Sequence, residues 1–296
     1  MKTIGFIGLG KMGLPMAMNL CRAGFTVYAH SGNPDSQAKL AALGGQPIGS
    51  FAEMASCCDV VITIVPADKE ILELAGVIGE HGHDGLMWID MTSAKGTTKK
   101  AIAGQLCRKA EETGRRISFM DAPVSGGVAG AEKGTLTIMV GSSREDFDAQ
   151  QDVLGAMGKN IIYTGDVGAG SNIKMLNQML NAANTAIAAE VLCISRQLGV
   201  EDTVLSQVVN QSSGGSYVFE RNVPKFMMSG DHTPGFRLDL MKKDVGLFID
   251  TAQEIDGFVP LANMVYQEYK ASSHQGMGNL SYTAIHQWYE KNQKGE

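Results

Sequence analysis

The sequence predicts an α/β domain followed by an all-helical domain. Over residues 1–165, short runs rich in β-branched residues alternate with helical stretches, the pattern of a parallel sheet with crossover helices. From about Ser171 onward the periodicity is almost entirely helical. A chain of 296 residues also exceeds what one hydrophobic core usually organises. We therefore predict two domains, residues 1–165 and 166–296.

The elements of the first domain follow from local pattern. Helix Met12–Ala23 ends at Gly24, a residue suited to the left-handed conformation that closes many helices. Val60–Val65 is continuously apolar, as expected of a strand buried on both faces. The other predicted elements are strands at Thr3–Ile7, Thr26–Ala29, Met87–Asp90, Ile117–Asp121 and Thr135–Val140, and helices at Ser36–Leu43 and Arg144–Ala156.

The second domain is predicted to begin with one long helix, Ser171–Leu198, which Gly199 ends. Further helices are predicted at Glu201–Gln211, Ser216–Met228, Leu238–Asp256 and Leu261–Ser272.

Composition and charge exclude several classes of protein. The net charge is −6 without a basic cluster, which argues against a nucleic-acid partner. No apolar run reaches the roughly 18 residues of a membrane span, and the first residues do not form a signal peptide. Five cysteines without a disulfide spacing indicate reduced thiols and a cytoplasmic location.

A glycine-rich motif follows the first strand and opens the first helix. It is G-x-G-x-x-G, formed by Gly8, Leu9, Gly10, Lys11, Met12 and Gly13. These glycines allow a tight turn, close approach of the backbone to a pyrophosphate, and packing of the helix on the strand. The helix N-terminus then offers N–H groups to the phosphates. The motif predicts a dinucleotide site, with a purely structural turn as the alternative.

The end of the second strand bears on which nicotinamide cofactor binds. NAD-dependent enzymes usually carry an acid there and NADP-dependent enzymes an arginine, but this chain has Ser31, Gly32 and Asn33. The lack of an acid removes repulsion of a 2′-phosphate, and Ser31 and Asn33 can hydrogen-bond to one. The pattern favours NADP and leaves NAD open. Plain turn residues are the alternative.

Ser125, Gly126 and Gly127 follow a predicted strand, where ligands bind in open α/β sheets. Consecutive glycines expose backbone N–H groups that suit a carboxylate. A loop that merely requires positive φ stays open as the alternative.

The long helix carries a polar stripe. Lys174, Asn177, Gln178, Asn181 and Asn184 lie on one face, and the remaining positions are apolar. A stripe with one charge is unlike a solvated face, so we predict that it lines a cleft, with an amide-rich contact between helices as the alternative.

No metal or hydrolase site is predicted. His81 and His83 lie among Gly79, Gly82 and Gly85, which predicts a surface loop without a third ligand. No Ser-His-Asp order and no G-x-S-x-G motif is present.

Taken together, these motifs resemble the β-hydroxyacid dehydrogenase family, which includes 3-hydroxyisobutyrate dehydrogenase and tartronate semialdehyde reductase. The resemblance rests on four segments in the family's order, which together span nearly the whole chain. They are Phe6–Leu20, Asp121–Gly127, Gly168–Gly170 with Lys174, and Lys243–Asp244.

The resemblance implies an NAD(P)-dependent oxidoreductase that interconverts a small β-hydroxy acid and its semialdehyde. Lys174 would be the general acid/base, a role that suits a desolvated lysine. Ser125, Gly126 and Gly127 would hold the substrate carboxylate. Asn177 and Gln178 would face the substrate. Val65 and Pro66 would border the cofactor. Ser93 and Lys243 would contact the cofactor or the substrate.

Three departures from the family pattern bear on specificity. Gln178 stands where the family usually has asparagine, the proline usually found after the position of Ser93 is missing, and Ser31–Asn33 replaces Asn-Arg-Thr. The stretch Ser212–Tyr217, together with Phe236, is similar to 2-(hydroxymethyl)glutarate dehydrogenase. Phe236 is accordingly expected at the substrate.

The resemblance further implies a Rossmann-type domain, an all-α domain, a long interdomain helix between them, and a homodimer or homotetramer. Three alternatives stay open. They are a 6-phosphogluconate-type dehydrogenase, an imine-reducing relative, and a sensor that holds the cofactor without turnover.

Overall fold

The computed structural model describes residues 2–30 and 32–294. The chain forms two compact units, Met1–Lys174 and Met175–Glu296. The first unit is an α/β domain and the second is helical, as the sequence predicts. Among the described residues, no helix is both long enough and apolar enough to cross a bilayer.

The first unit is built on one twisted sheet. Its strands are Thr3–Ile7, Thr26–His30, Gln46–Pro47, Val60–Thr63, Met87–Asp90, Ser118–Asp121, Val124–Ser125, Leu136–Gly141 and Gly158–Gly165, numbered β1 to β9. The strand order is β3-β2-β1-β4-β5-β6-β8-β7, and β9 pairs with β8. From β3 to β6 all pairs are parallel, whereas β8 is antiparallel to both β6 and β7. The order reverses between β1 and β4, where ligands of such sheets bind.

Helices cover both faces of this sheet. They are Gly13–Arg22, Pro34–Ala41, Phe51–Cys57, Asp68–His81, Gly96–Thr113, Gly127–Lys133, Arg144–Ala149 and Gln151–Met157, numbered α1 to α8. Consecutive residues of β4 contribute to different cores: Val60 and Ile62 pack on one face, and Val61 packs on the other. Burial on both faces explains the continuous apolar run of this strand.

Helix α9, Ala169–Gln197, begins in the first unit and continues into the second. The second unit adds α10 to α13, which are Asp202–Asn210, Leu238–Glu254, Pro260–Ser272 and Ile285–Lys294. A π-helix, Val218–Met228, lies between α10 and α11. It contains Pro224, which lacks the N–H of a regular helical turn, and the wider π turn accommodates that loss.

Three expectations from the sequence are corrected. Strand β4 ends at Thr63 instead of Val65, because the Val65 N–H turns to the Thr92 hydroxyl at 3.0 Å. The predicted helix 144–156 is two helices, since Gln150 leaves helical geometry (φ −107°, ψ 11°). Gly79 and His81 belong to α4 instead of a surface loop.

The sequence pattern also failed to predict α3 to α6, β3, β7, β9 and α13. In α5 the inward positions include Gly96 and Lys99, so its buried face is not a regular apolar stripe.

Candidate active site

The glycine loop joins β1 to α1 and needs glycine for two physical reasons. Gly8 has a φ of +102°, and a Cβ there would collide with the carbonyl oxygen of Ile64. A Cβ at Gly13 would collide with the Gly8 carbonyl oxygen. Nothing lies within 4 Å of the position a Cβ would take at Gly10, so a ligand can approach the backbone there.

The N-terminus of α1 suits an anion. Met12, at its cap position, makes no side-chain capping bond, and the first turn has no acidic residue. Helix N-termini of this kind bind phosphates through N–H groups and the positive end of the dipole. Lys11 is exposed beside the loop, whereas the side chain of Leu9 is buried in the core, which leaves only the Leu9 backbone for a ligand. The residues present therefore fit a dinucleotide.

At the end of β2, the Asn33 side chain caps α2. Its oxygen accepts hydrogen bonds from the N–H groups of Asp35 (3.0 Å) and Ser36 (3.4 Å). Because this oxygen already accepts two backbone hydrogen bonds, it has less capacity to bind a ribose hydroxyl. Ser31 lies outside the described residues.

Val65, Pro66 and Ser93 come together at the carboxyl ends of β4 and β5. Thr92 links the two strand ends, because its hydroxyl accepts the Val65 N–H at 3.0 Å and donates to Asp90 at 2.8 Å. Pro66 is exposed, and Val65 and Ser93 are half-buried.

Ser125, Gly126 and Gly127 form the turn from β7 into α6. The φ angles are +131° at Gly126 and +62° at Gly127, so the conformation itself requires glycine. Both glycines are exposed and Ser125 is half-buried. The turn therefore has the strain expected of a structural loop and also the open backbone expected of a carboxylate site.

Within the first unit, Lys174 lies on α9 with 8% of its surface exposed. In the second unit, the amide nitrogen of Gln178 donates to Asp244 at 2.8 Å, and the Lys243 ammonium lies 3.3 Å from the same carboxylate. The structure thus brings Gln178 and Lys243 together through Asp244. Asn177, in contrast, is exposed.

Phe236 belongs to a second group in the helical unit. Its ring packs edge-on against Tyr282, with 5.9 Å between ring centres. The Tyr282 hydroxyl accepts a hydrogen bond from Asn222 (2.7 Å) and lies 3.5 Å from the side-chain oxygen of Asn181. Burial raises the pKa of Tyr282, which keeps its hydroxyl protonated.

The polar stripe of α9 is largely withdrawn from solvent, as the single charge in its pattern indicates, and two of its amides contact other helices. Lys174 and Gln178 are buried and Asn181 is half-buried, whereas Leu176 and Leu180 are 46% and 66% exposed. Gln178 and Asn181 are accommodated inside because each finds a hydrogen-bonding partner there, whereas Asn177 stays exposed. Much of the apolar surface that the pattern assigns to a core is instead in contact with solvent.

Sequence reasoning missed a group of buried charges at the carboxyl edge of the sheet. Asp90, Lys99 and Asp121 are all fully buried. The sequence did contain one sign of this group, because β5 and β6 are buried strands that each end in an aspartate. The partner lysine lies on a helix that the sequence pattern did not predict.

Two family models match the chain. Residues 3–165 match the NAD binding domain of 6-phosphogluconate dehydrogenase. Residues 168–289 match the NAD-binding domain of NADP-dependent 3-hydroxyisobutyrate dehydrogenase. The chain is 36% identical to 2-(hydroxymethyl)glutarate dehydrogenase of Eubacterium barkeri over 97% of its length and 95% of the relative's. It belongs to the β-hydroxyacid dehydrogenase family.

Two further members are similar over nearly their whole length. L-threonate dehydrogenase of Cupriavidus necator is 35% identical, with 96% of this chain and 95% of the relative covered. The structure of Mycobacterium tuberculosis 3-hydroxyisobutyrate dehydrogenase with L-serine superposes with a TM-score of 0.89 at 29% identity, covering 97% and 98% of the two chains.

The resemblance inferred from the motifs is thereby confirmed, and with it the Rossmann-like first domain and helical second domain. The chain is an NAD(P)-dependent hydroxyacid dehydrogenase. A 6-phosphogluconate-type enzyme, an imine reductase and a sensor are not favoured, because the relatives are dehydrogenases of hydroxy acids.

Proposed function

We propose that this dehydrogenase interconverts a small β-hydroxy acid and its semialdehyde, with Lys174 as the general acid/base. The observation that carries the proposal is the burial of Lys174 on the polar face of α9. The names of the relatives agree, since 2-(hydroxymethyl)glutarate and 3-hydroxyisobutyrate both carry a hydroxyl on the carbon β to a carboxylate, and so does L-serine.

The chemistry requires a proton at the substrate oxygen. When bound, the nicotinamide cofactor supplies or accepts the hydride. Lys174 donates a proton to the carbonyl oxygen of the semialdehyde during reduction and removes it from the alcohol during oxidation. A lysine suits both directions, because its ammonium form can donate the proton and its neutral amine can accept it.

The substrate carboxylate is assigned to Ser125, Gly126 and Gly127, since the exposed glycines present backbone N–H groups. Asn177 and Gln178 supply amides for the rest of the substrate, and Phe236 supplies an apolar wall. The phosphate loop and Val65, Pro66, Ser93 and Lys243 are assigned to the cofactor.

We infer that NADP is preferred to NAD. The chain has no acid at residues 31–33, where an acid would repel a 2′-phosphate. Asn33 and Ser31 are the hydrogen-bonding side chains assigned to that end of the cofactor.

The enzyme is proposed to act in the cytoplasm as a homodimer or homotetramer. None of the five cysteines, all within the described residues, is in a disulfide. The oligomer is assigned to an apolar stripe, a row of exposed side chains of the second unit that runs along α9 and one residue past its end. They are Leu176, Leu180, Ile187, Val191, Ile194 and Leu198.

The test is a panel of small β-hydroxy acids and semialdehydes assayed at 340 nm with NAD(H) and NADP(H) separately. Wild-type protein is compared with Lys174→Ala. We expect turnover of at least one member and a loss of about 10²–10⁴-fold in kcat in the variant. Cofactor binding, followed by fluorescence, should persist in the variant.

Lys270→Ala, which removes an exposed lysine of α12, serves as the control and should retain full activity. Equal turnover by Lys174→Ala and wild type would remove the assigned role of Lys174. Cofactor binding without turnover of any member by the wild type would contradict the proposed substrate class.

A further inference from the structure

Lys99 occupies an unusual place for a lysine. It lies in the first turn of α5 and is 0% exposed. Its ammonium pairs with the Asp90 carboxylate and donates to the Thr92 carbonyl oxygen at 3.2 Å. Burial disfavours a charged ammonium, and so does the positive end of a helix dipole. The surrounding carboxylates must offset both costs.

Asp90 connects the ends of two strands. One carboxylate oxygen receives the hydroxyls of Thr63 at 2.5 Å and Thr92 at 2.8 Å, and the other receives Lys99. Thr63 ends β4, and Thr92 holds the N–H of Val65. The Asp90–Lys99 pair therefore determines where the backbone leaves β4 and β5.

Asp121, at the end of β6, binds the backbone at the start of α9. One of its oxygens accepts the N–H of Gly168 at 2.6 Å and the other accepts the N–H of Ser171 at 2.7 Å. Burial raises the pKa of Asp121, and these two bonds and the charge of Lys99 lower it. Lys99 thus acts on both carboxylates. Ser171 stands one turn before Lys174.

The start of α5 and the start of α9 touch at two glycines. A Cβ at Gly96 would collide with the side-chain oxygen of Asn172, and one at Gly168 would come within 2.8 Å of the Gly96 carbonyl oxygen. Neither Gly96 nor Gly168 has a side chain that could yield in this contact. We therefore expect a displacement at Lys99 to reach the first turn of α9.

We propose that the Asp90–Lys99–Asp121 cluster is a positioning device for catalysis. It holds the first turn of α9, and with it Lys174, in register with the strand ends that carry Val65 and Ser93. This inference rests on the proposed function only for the role of Lys174. A buried charge cluster contributes little net stability compared with apolar residues of the same shape, so its use lies in fixing one geometry.

The test uses the double variant Asp90→Asn/Lys99→Met. It retains the shape of both side chains and leaves no unpaired charge at position 90. Lys99→Met alone should melt at a lower temperature, because it leaves the buried carboxylate of Asp90 without its cation. In the double variant, the new amide oxygen at position 90 can still accept from both threonines, but nothing joins that group to Asp121. Lys109→Met, which replaces a half-buried lysine on the outer side of the same helix, paired only at 3.6 Å with Glu112, is the matched control.

We expect the double variant to melt above Lys99→Met, because only Asp121 loses its neighbouring cation and it keeps two backbone hydrogen bonds, and to bind the cofactor with a Kd within about threefold of the wild-type value. Its kcat should fall by about 10–100-fold, as for a catalytic group displaced by roughly 1 Å. Hydrogen exchange of the peptide that covers 166–173 should become at least about tenfold faster, because local opening controls exchange there. Lys109→Met should match the wild type in every measurement.

Wild-type kcat and wild-type exchange in a folded double variant would overturn the inference. It would mean that the cluster serves stability alone. The exchange measurement needs no substrate, so it still decides the inference if the wild type turns over no member of the panel. That last result would count against the proposed function instead.

Discussion

At the residue scale, Asn33 has two roles. It caps α2, and it is proposed to help select NADP over NAD. Its side-chain oxygen caps α2 through the N–H groups of Asp35 and Ser36. Aspartate caps helices as well as asparagine does, and its charge also suits a helix N-terminus. The residue can therefore be made acidic without a cost to the fold.

Asn33→Asp should shift the enzyme toward NAD. The added carboxylate repels a 2′-phosphate, so we expect the ratio of kcat/KM for NADPH to that for NADH to fall at least about tenfold. The melting temperature should stay within about 2 °C, because the cap is preserved. Asn160→Asp, at an exposed site on β9, is the control. An unchanged ratio would contradict the assignment of the ribose to Asn33.

At the scale of the element, α9 has an apolar stripe that is largely in contact with solvent. Leu180, Ile187 and Ile194 recur every seven residues and are 66%, 54% and 45% exposed. A seven-residue apolar repeat matches the seam along which two helices pack. Such a surface is costly in water, and the proposed oligomer would cover it with the same helix of a second copy.

Leu180→Lys should weaken the oligomer. A lysine within the stripe places a charge in the contact, and we expect the mass from light scattering to fall toward 31.5 kDa at micromolar concentration. Leu72→Lys, which replaces a 48% exposed leucine on α4, should leave the mass unchanged. A wild-type mass of one chain, or an oligomer that persists in Leu180→Lys, would argue against this interface.

At the scale of the whole molecule, the second unit should be the part most sensitive to acid. His286 is buried, and burial lowers its pKa, while Glu290 raises it to a smaller extent. His232, half-buried, also has a pKa lowered by burial. The unfolded chain takes up protons at these imidazoles more readily than the native chain. The free energy of unfolding thus has its full value at pH values above 6.5, the ordinary histidine pKa, and declines as the pH falls below 6.5.

We expect the melting temperature to drop between about pH 7.5 and pH 5.5, and His286→Gln to reduce that drop by about 2–4 °C. His274→Gln, which replaces an exposed histidine, should leave the drop unchanged. Calorimetry at both pH values measures this directly. Equal drops in wild type and His286→Gln would show that His286 does not set the acid limit.

Features that depend only on residues close together in the chain could be predicted from the sequence. The glycine loop, the buried strands and the end of α9 near Gly199 (φ +72°) follow from local sterics and from period alone. The family resemblance rests on such local segments, which is why the sequence alone reveals it.

The inward face of α9 and the position of the buried charges depend instead on tertiary structure. Gln178 meets Asp244 across 66 residues, and Asp121 meets Ser171 across 50. Hydrophobic period reveals that α9 has a polar stripe but not which residues it meets, because a polar side chain is buried where a distant partner satisfies it. Those partners are brought together by chain topology, which no local pattern encodes.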